Sequence, residues 1–337
     1  LTLDYMLGAS QELYRAKNLH VTKQDMIDLG MSVLDGATGQ ASANGGISEW
    51  AMRSVFSRLN LNWQDRYLLE FNLRADGSSR FLKNKRWGYF PSLSAAWRMD
   101  QEKFMEGAFN GKLSNLKLRV SYGSLGNNNV GNYASQSLYT SDKGALNYVL
   151  GNTMVTGMAQ IALANSLLTW ESTKVFDVGL DFGWFNNRLT GTLDYFNKRT
   201  TDILIDLPAP AVHGTTSLPK VNSATVTNHG LEFTLGWQDQ VNGFSYGATA
   251  NFTYIKNKVN KFKGTDKGGM AISGANLIWE GHSINSQYLL RVDRLLQTDE
   301  DMQRVQQIID NAPTGADGNK LNPFAAFGTP KKGDLLY

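Results

Sequence analysis

Four histidines, His20, His213, His229 and His282, are the side chains in this sequence best suited to bind a metal, and their spacing is wrong for it. No two stand four positions apart, and there is no His-Glu-x-x-His string to gather ligands on one helix face. Cysteine is absent, which removes thiolate sites and disulfides. Asp177 and Asp181 share one face of an alternating segment and have the chemistry of a general acid–base pair. A polar wall explains them more simply, because neighbouring segments carry charges at the same parity. Asp317-Gly318-Asn319 is a turn, too short for a calcium loop. Gly123-Ser124-Leu125-Gly126 lacks the spacing and the strand–helix context of a phosphate loop. No Ser/His/Asp set can be assembled. The expectation is a protein with no catalytic residue, no metal and no cofactor.

The charges that do follow a rule belong to alternating segments. Arg58, Glu70, Arg74, Arg98, Lys117, Arg119, Asp177, Asp181, Asp194 and Glu232 all fall on the polar parity of such segments and mix both signs. A one-sign wall would suit an ion-selective pore. Mixed signs facing a common cavity pair with one another or with an inserted domain.

The elements that position these charges are strands. The clearest is a hairpin from Lys174 to Lys198. Phe176, Val178, Leu180, Phe182 and Trp184 alternate with Asp177, Gly179, Asp181 and Gly183. Phe185-Asn186-Asn187-Arg188 turns the chain, and Leu189, Leu193 and Tyr195 alternate with Thr190, Thr192 and Asp194. Period-2 alternation assigns one set to each face. Arms of about ten residues tilted at ~45° match the hydrocarbon core of a bilayer. The same pattern recurs at Leu1–Leu7, Val55–Trp63, Tyr67–Asp76, Leu93–Arg98, Leu116–Gly123, Leu231–Trp237 and Phe244–Tyr254, giving about nine strands. Connections alternate short and long. The long ones include a Gly-rich loop expected over residues 17–46 and a polar excursion over 124–167. Trp63, Trp97, Trp184 and Trp237 each close a strand entering a shorter connection, as an aromatic girdle at a membrane interface would.

Beyond residue 257 the alternation stops. Thr298 before Asp299, Glu300 and Asp301 caps a short helix over about residues 299–310, ended by Pro313 and Gly315. A small hairpin is expected near Tyr288–Leu296. The division is therefore residues 1–257, membrane strands with loops, and residues 258–337, one external region on the long-loop side.

Composition agrees with an all-β antiparallel membrane barrel. The chain has 337 residues, 33 glycines, 11% aromatic residues and a net charge of +3. Its basic residues are scattered, which gives no case for nucleic acid. No run approaches the ~18 apolar residues of a membrane helix, a test that barrels evade by alternating. The sequence opens inside a strand and ends in a loop-like context, as an internal piece of a longer protein would.

Several strings, in this order, resemble one family. They are Arg74-Ala75-Asp76-Gly77-Ser78-Ser79-Arg80-Phe81, Trp87-Gly88-Tyr89-Phe90-Pro91-Ser92, Ala95-Ala96-Trp97-Arg98, Leu116-Lys117-Leu118-Arg119-Val120-Ser121-Tyr122-Gly123 with Gly126-Asn127, and Trp170-Glu171-Ser172-Thr173. Gly179-Leu180-Asp181-Phe182, Asn187-Arg188-Leu189 and Asn228-His229-Gly230-Leu231-Glu232 continue the series. Over residues 50–257 the chain resembles the barrel of SusC/RagA-type TonB-dependent transporters of the Gram-negative outer membrane. The resemblance implies about nine strands of a roughly 22-stranded plugged barrel with long extracellular loops. It also implies energy coupling through TonB, by way of a plug expected elsewhere in the same gene product. A SusD-like surface lipoprotein would act as lid, and the cargo would be an oligosaccharide or peptide. The external region 258–337 is expected to supply much of the lipoprotein interface.

Candidate ligand contacts on upper strand ends and outer loops are Arg80, Trp87, Asn127, Asn128 and Tyr133, since sugars and peptides are held by aromatic faces and by amide or guanidinium hydrogen bonds. The competing reading is a soluble, secreted β-rich binding or adhesion module, in which the apolar side of each strand would be sealed in a dry core.

Overall fold

Alternation builds a single large sheet in the computed structural model. Nine antiparallel strands run in sequence order: β1 (Thr2–Lys23), β2 (Ala41–Trp63), β3 (Tyr67–Ser78), β4 (Trp87–Arg98), β5 (Leu113–Asn127), β6 (Glu171–Trp184), β7 (Leu189–Ile205), β8 (Val221–Val241) and β9 (Phe244–Phe262). The structure describes residues 1–28, 30, 33–141, 146–162, 164–205, 220–263, 270–273, 275–314, 321–325 and 328–336.

Register places like with like. Leu180 stands between Leu118 and Leu193, and Phe233 between Leu193 and Phe252. On the opposite face Asn60 stands opposite Glu70, Asp181 opposite Lys117, and Asp194 opposite Glu232. A slip of one residue would exchange the faces, so the apolar set fixes the pairing. The apolar face is bare: Phe252 is 63% exposed, and Phe182 and Leu235 are half-buried rather than enclosed. A soluble sandwich would bury these residues; a lipid-facing wall leaves them open.

Two boundaries differ from the sequence reading. β1 and β2 pair without interruption from Thr2↔Asn62 to Lys23↔Ala41, so the expected loop over 17–46 shrinks to residues 24–40. β3 ends opposite Met52, leaving the rest of β1–β2 as a two-stranded ribbon. Where neither face meets lipid the side chains need not alternate, although the backbone ladder continues. β9 likewise runs past Lys256 to Phe262. There Val259 and Phe262 join Ala224 and Val226 in a small core. The segment Ile278–Ile284 caps its edge, with Val259 N–H donating to His282 O and Gly281 N–H to Val259 O, both at 2.8 Å. These residues belong with the sheet, in a unit comprising Leu1–Ala271 and Ile278–Ile284.

The second unit, Ile272–Leu277 with Asn285–Tyr337, is built around helix α1 (Asp299–Asp310). Thr298 caps it as expected, and the side chain of Asp301 returns a bond to the Thr298 N–H at 3.0 Å. Pro313 follows the helix end, and Gly315 lies outside the described residues. Leu296, Val305 and Leu336 form its core with Met302, Ile308, Ile309 and Phe324. The expected hairpin at Tyr288–Leu296 is not formed. Arg294–Leu295 pairs instead with Leu335–Leu336, since Leu296 and Leu336 both bury against the apolar stripe of the helix.

Candidate functional site

At the short-turn end the aromatic side chains meet as a belt. Trp63 lies 5.6 Å from Tyr67, which stacks 6.4 Å from Trp97. Phe185 lies between Trp184 and Trp237 at 6.4 and 6.5 Å. The connection between β4 and β5 makes three 3-10 turns and brings Phe104 against Trp97 and Phe109 against Trp184. Glu102, in that connection, accepts from the Tyr67 hydroxyl at 2.7 Å and from Trp97 Nε1 at 3.1 Å. Those two donors, with Arg66 3.7 Å away, hold its carboxyl below the usual carboxylate range.

Between the ends, the polar face is a lattice of paired charges. Arg119 binds Asp181 through Nε and Nη2 and reaches Asp194 at 2.9 Å, while Lys117 Nζ lies 2.9 Å from the same Asp181. Arg74 holds Asp76 at 2.8 Å and Ser54 at 3.1 Å, with its guanidinium over the Phe56 ring. Among the described residues no group of three His, Asp or Glu could hold a metal.

At the long-loop end, loops fold inward over the polar face. Phe81, Val130, Leu168 and Trp170 are buried together, packed on Met52 and Phe90. Gly88 and Gly126 lie under the Phe90 ring, where any β-carbon would collide with it. Trp170 Nε1 donates to Arg86 O at 3.0 Å. This core anchors the loop after β5. Asn128 donates to the Ser78 hydroxyl at 3.0 Å, and Arg80 donates to Asn132 Oδ1 at 3.0 Å and to Asn128 O at 3.2 Å. Asn132 binds the Ser48 hydroxyl, and the Tyr133 hydroxyl accepts from Glu49 N–H at 3.2 Å. Just beyond the end of β3, the edge of β2 is thus met by loop hydroxyls at Glu49 and Ala51, whose N–H groups donate to Tyr133 and Ser79.

The result is a cavity of about 460 Å³ with Tyr14, Trp50, Arg80, Asn132 and Tyr133 in its wall. Tyr14 and Trp50 are cross-strand partners stacked at 5.7 Å and 19°, and the Arg80 guanidinium lies 5.1 Å from the Trp50 ring centre. Aromatic faces beside a guanidinium and amides are the groups that hold sugars or peptides.

Of the candidate contacts, Arg80 and Tyr133 line this cavity, and Asn128 stands behind it, its carbonyl accepting from Arg80 and its amide donating to Ser78. Asn127 stands apart at the end of β5, 3.4 Å from Glu171. Trp87 lies on the other side of the sheet: it pairs with Gly77 and shares the parity of Leu93 and Trp97, so its ring faces outward. Tyr14, Trp50 and Asn132 escaped the sequence reading. The available signal was their position: Tyr14 and Trp50 are aromatics on the polar parity of β1 and β2, directly opposite each other.

A nine-stranded antiparallel wall with one bare apolar face, an aromatic belt at its short turns and loops folded over its polar face is a segment of an outer-membrane barrel. Residues 2–287 match the family model described as TonB dependent receptor-like, beta-barrel. The chain belongs to that family, and within it to the SusC/RagA type. It is 34% identical over 236 residues to the TonB-dependent receptor SusC of Bacteroides thetaiotaomicron, covering 69% of this chain and 23% of that protein. It is 31% identical over 263 residues to the TonB-dependent receptor P3 of Formosa agariphila, covering 76% of this chain and 26% of that one. Among solved structures it is similar to the RagAB peptide importer in the closed-closed state, at 26% identity and a TM-score of 0.77, over 95% of this chain and 34% of that chain. The chain therefore spans about a quarter of the curated relatives it matches and a third of the RagAB chain.

Proposed function

We propose that the whole protein imports a bulky nutrient, an oligosaccharide or a peptide, across the outer membrane of a Gram-negative bacterium, driven through TonB and assisted by a SusD-like surface lipoprotein. It is a transporter rather than an enzyme. The observation that carries this reading is the convergence of Arg80, Asn128, Asn132, Tyr133 and Trp50 on the inward face at the long-loop end. A cargo entering from outside meets that end first. The likeness to the RagAB peptide importer supports a cargo of this kind, and the likeness to the TonB-dependent receptor SusC supports the coupling. TonB would act through a plug supplied by another part of the protein. The mixed-charge lattice around Arg119 suits such an inserted domain, because each sign can be matched.

The test is calorimetry on the intact transporter–lipoprotein complex with defined oligosaccharides and peptides. Trp50→Ala and Arg80→Ala should each weaken binding by about 1–3 kcal/mol, the range expected for a lost aromatic or guanidinium anchor. Trp87→Ala should leave affinity unchanged. Equal affinity in all three variants would remove the cavity from the cargo path. For the second unit, the proposal is that it forms much of the lipoprotein interface. Deleting residues 285–336 from the full protein and recovering the complex in normal yield would refute that.

A further inference from the structure

Above the apolar band, the outward face of β6–β9 turns from apolar to basic within two rows. Lys174 on β6 stands opposite Arg199 on β7, Arg199 opposite Thr227 on β8, and Thr227 opposite Lys258 on β9. One row lower, His229 stands opposite Lys256. No register shift intervenes, because those in β7 and β8 begin only after Thr200 and beyond Val226. Parity therefore puts Lys174, Arg199, Lys256 and Lys258 on the face that carries Phe176, Leu193, Leu231 and Phe252.

Lys174, Arg199, Lys256 and Lys258 are exposed, and among the described residues none forms an ion pair. No Asp or Glu occupies the outward positions around them, Ser172, Asn197, Thr201, Thr225 and Thr227. Elsewhere on the same face a cation is matched: Arg15 lies 2.8 Å from Glu49.

The depth of the patch follows from the belt at the other end. Lys174 precedes Trp184 by ten positions, Arg199 follows Leu189 by ten, and Lys256 follows Tyr246 by ten. Ten residues at ~3.3 Å each, on strands tilted by ~40°, rise about 25 Å, the height of the apolar band of such barrels. Tyr195 and Tyr254, one row below His229 and Lys256, supply the aromatic side chains expected at the upper interface. The cations thus stand at the head groups of the outer leaflet.

Like charges one strand apart, ~4.8 Å, repel unless an anion lies between them. Lysine and arginine at that depth fit phosphate oxygens, which accept several charge-assisted hydrogen bonds at once. We infer that Lys174, Arg199, Lys256 and Lys258 form a binding site for the phosphate groups of the outer-leaflet glycolipid. The inference rests on the barrel standing in the outer membrane.

The experiment uses the full-length protein purified in mild detergent, with heat-modifiable mobility as a separate readout of barrel assembly. Co-purifying lipopolysaccharide is measured by phosphate and hydroxy fatty acid content. In the K174Q/R199Q/K256Q/K258Q variant it should fall by more than about tenfold. Lys198→Gln, on the inward parity of β7, should change nothing. Added back to delipidated protein, intact lipopolysaccharide should raise the melting temperature, while the dephosphorylated form and inorganic phosphate should not. Undiminished lipid in an assembled variant would overturn the site, as would equal binding of the dephosphorylated form. Loss of the surface lipoprotein with lipid retained would reassign the patch to that partner and equally overturn the inference. If the fourfold variant fails to assemble, K174Q/R199Q is read by the same criteria; failure of the wild-type protein to insert would count against the membrane reading itself.

Discussion

Arg119 balances the inward face. Asp181 keeps Lys117 when Arg119 is removed, but Asp194 loses its only ion-pair partner among the described residues, with Glu232 directly opposite it. Arg119→Met should therefore lower the melting temperature of the full protein. The cost should lie between the ~1 kcal/mol of an exposed pair and the ~3 kcal/mol of a buried one, because the groups are partly exposed. Arg119→Lys should recover only part of it, since an ammonium cannot reproduce the planar fork that grips Asp181 through two nitrogens. A thermal melt of Arg119→Met that overlays the wild type would refute the role. The parity of Arg119, Asp181 and Asp194 was legible in the sequence, because alternation is a local property. The convergence of Arg80 with Trp50 was not. It depends on the loop after β5 folding inward over the buried Phe81–Trp170 pair, and no local pattern encodes the direction in which a loop folds. The outward direction of Trp87, by contrast, is legible in its parity with Leu93 and Trp97, which sets it apart from the candidates on the polar face.

Among the elements, helix α1 was readable to its first residue, because Thr298 and the three acids after it state a cap in consecutive positions. The length of β1 and β2 was not readable, because a ribbon outside the membrane needs no alternating pattern. The helix also carries a pH dependence of known sign. Backbone N–H groups of Thr298 and Gln297 hold the Asp301 carboxyl well below the usual carboxylate range, with Arg294 adding to it. A depressed folded-state pKa stabilises the helix above the unfolded carboxylate value of about 3.9 and is lost as pH falls below it. Hydrogen-exchange protection of residues 299–305 in the full protein should therefore hold steady from neutral pH to about 5, then decline. Asp301→Ala should exchange faster at neutral pH and lose that decline. Thr298→Ala should cost about 1 kcal/mol at neutral pH, as the loss of an N-cap does, and less in acid, because its hydroxyl also donates to the Asp301 carboxylate. Protection in Asp301→Ala that still tracks acidity as in the wild type would show that another group sets it.

For the molecule as a whole, everything depends on which face of the sheet meets lipid, and adjacent residues on β8 decide it. Phe233 pairs with Leu193 and Phe252 on the apolar face; Thr234 pairs with Thr192 and Asn251 on the polar one. Both lie at the same height, three to four residues from Trp237 and its aromatic belt, so depth is held constant while the face changes. An arginine on the lipid face of a barrel costs ~2–4 kcal/mol near the midplane and less toward an interface, whereas a wide polar lumen solvates it. Phe233→Arg should consequently reduce the heat-modifiable, folded fraction recovered from outer membranes. Thr234→Arg should assemble at close to the wild-type level, because its guanidinium projects toward Glu232 and the acids of β6 and β7. The two faces cannot exchange roles without moving every pairing from β1 to β9. If Thr234→Arg blocks assembly while Phe233→Arg does not, the sheet is inside out, and both the cargo cavity over Trp50 and the phosphate patch at Lys174 lose their sides of the membrane together.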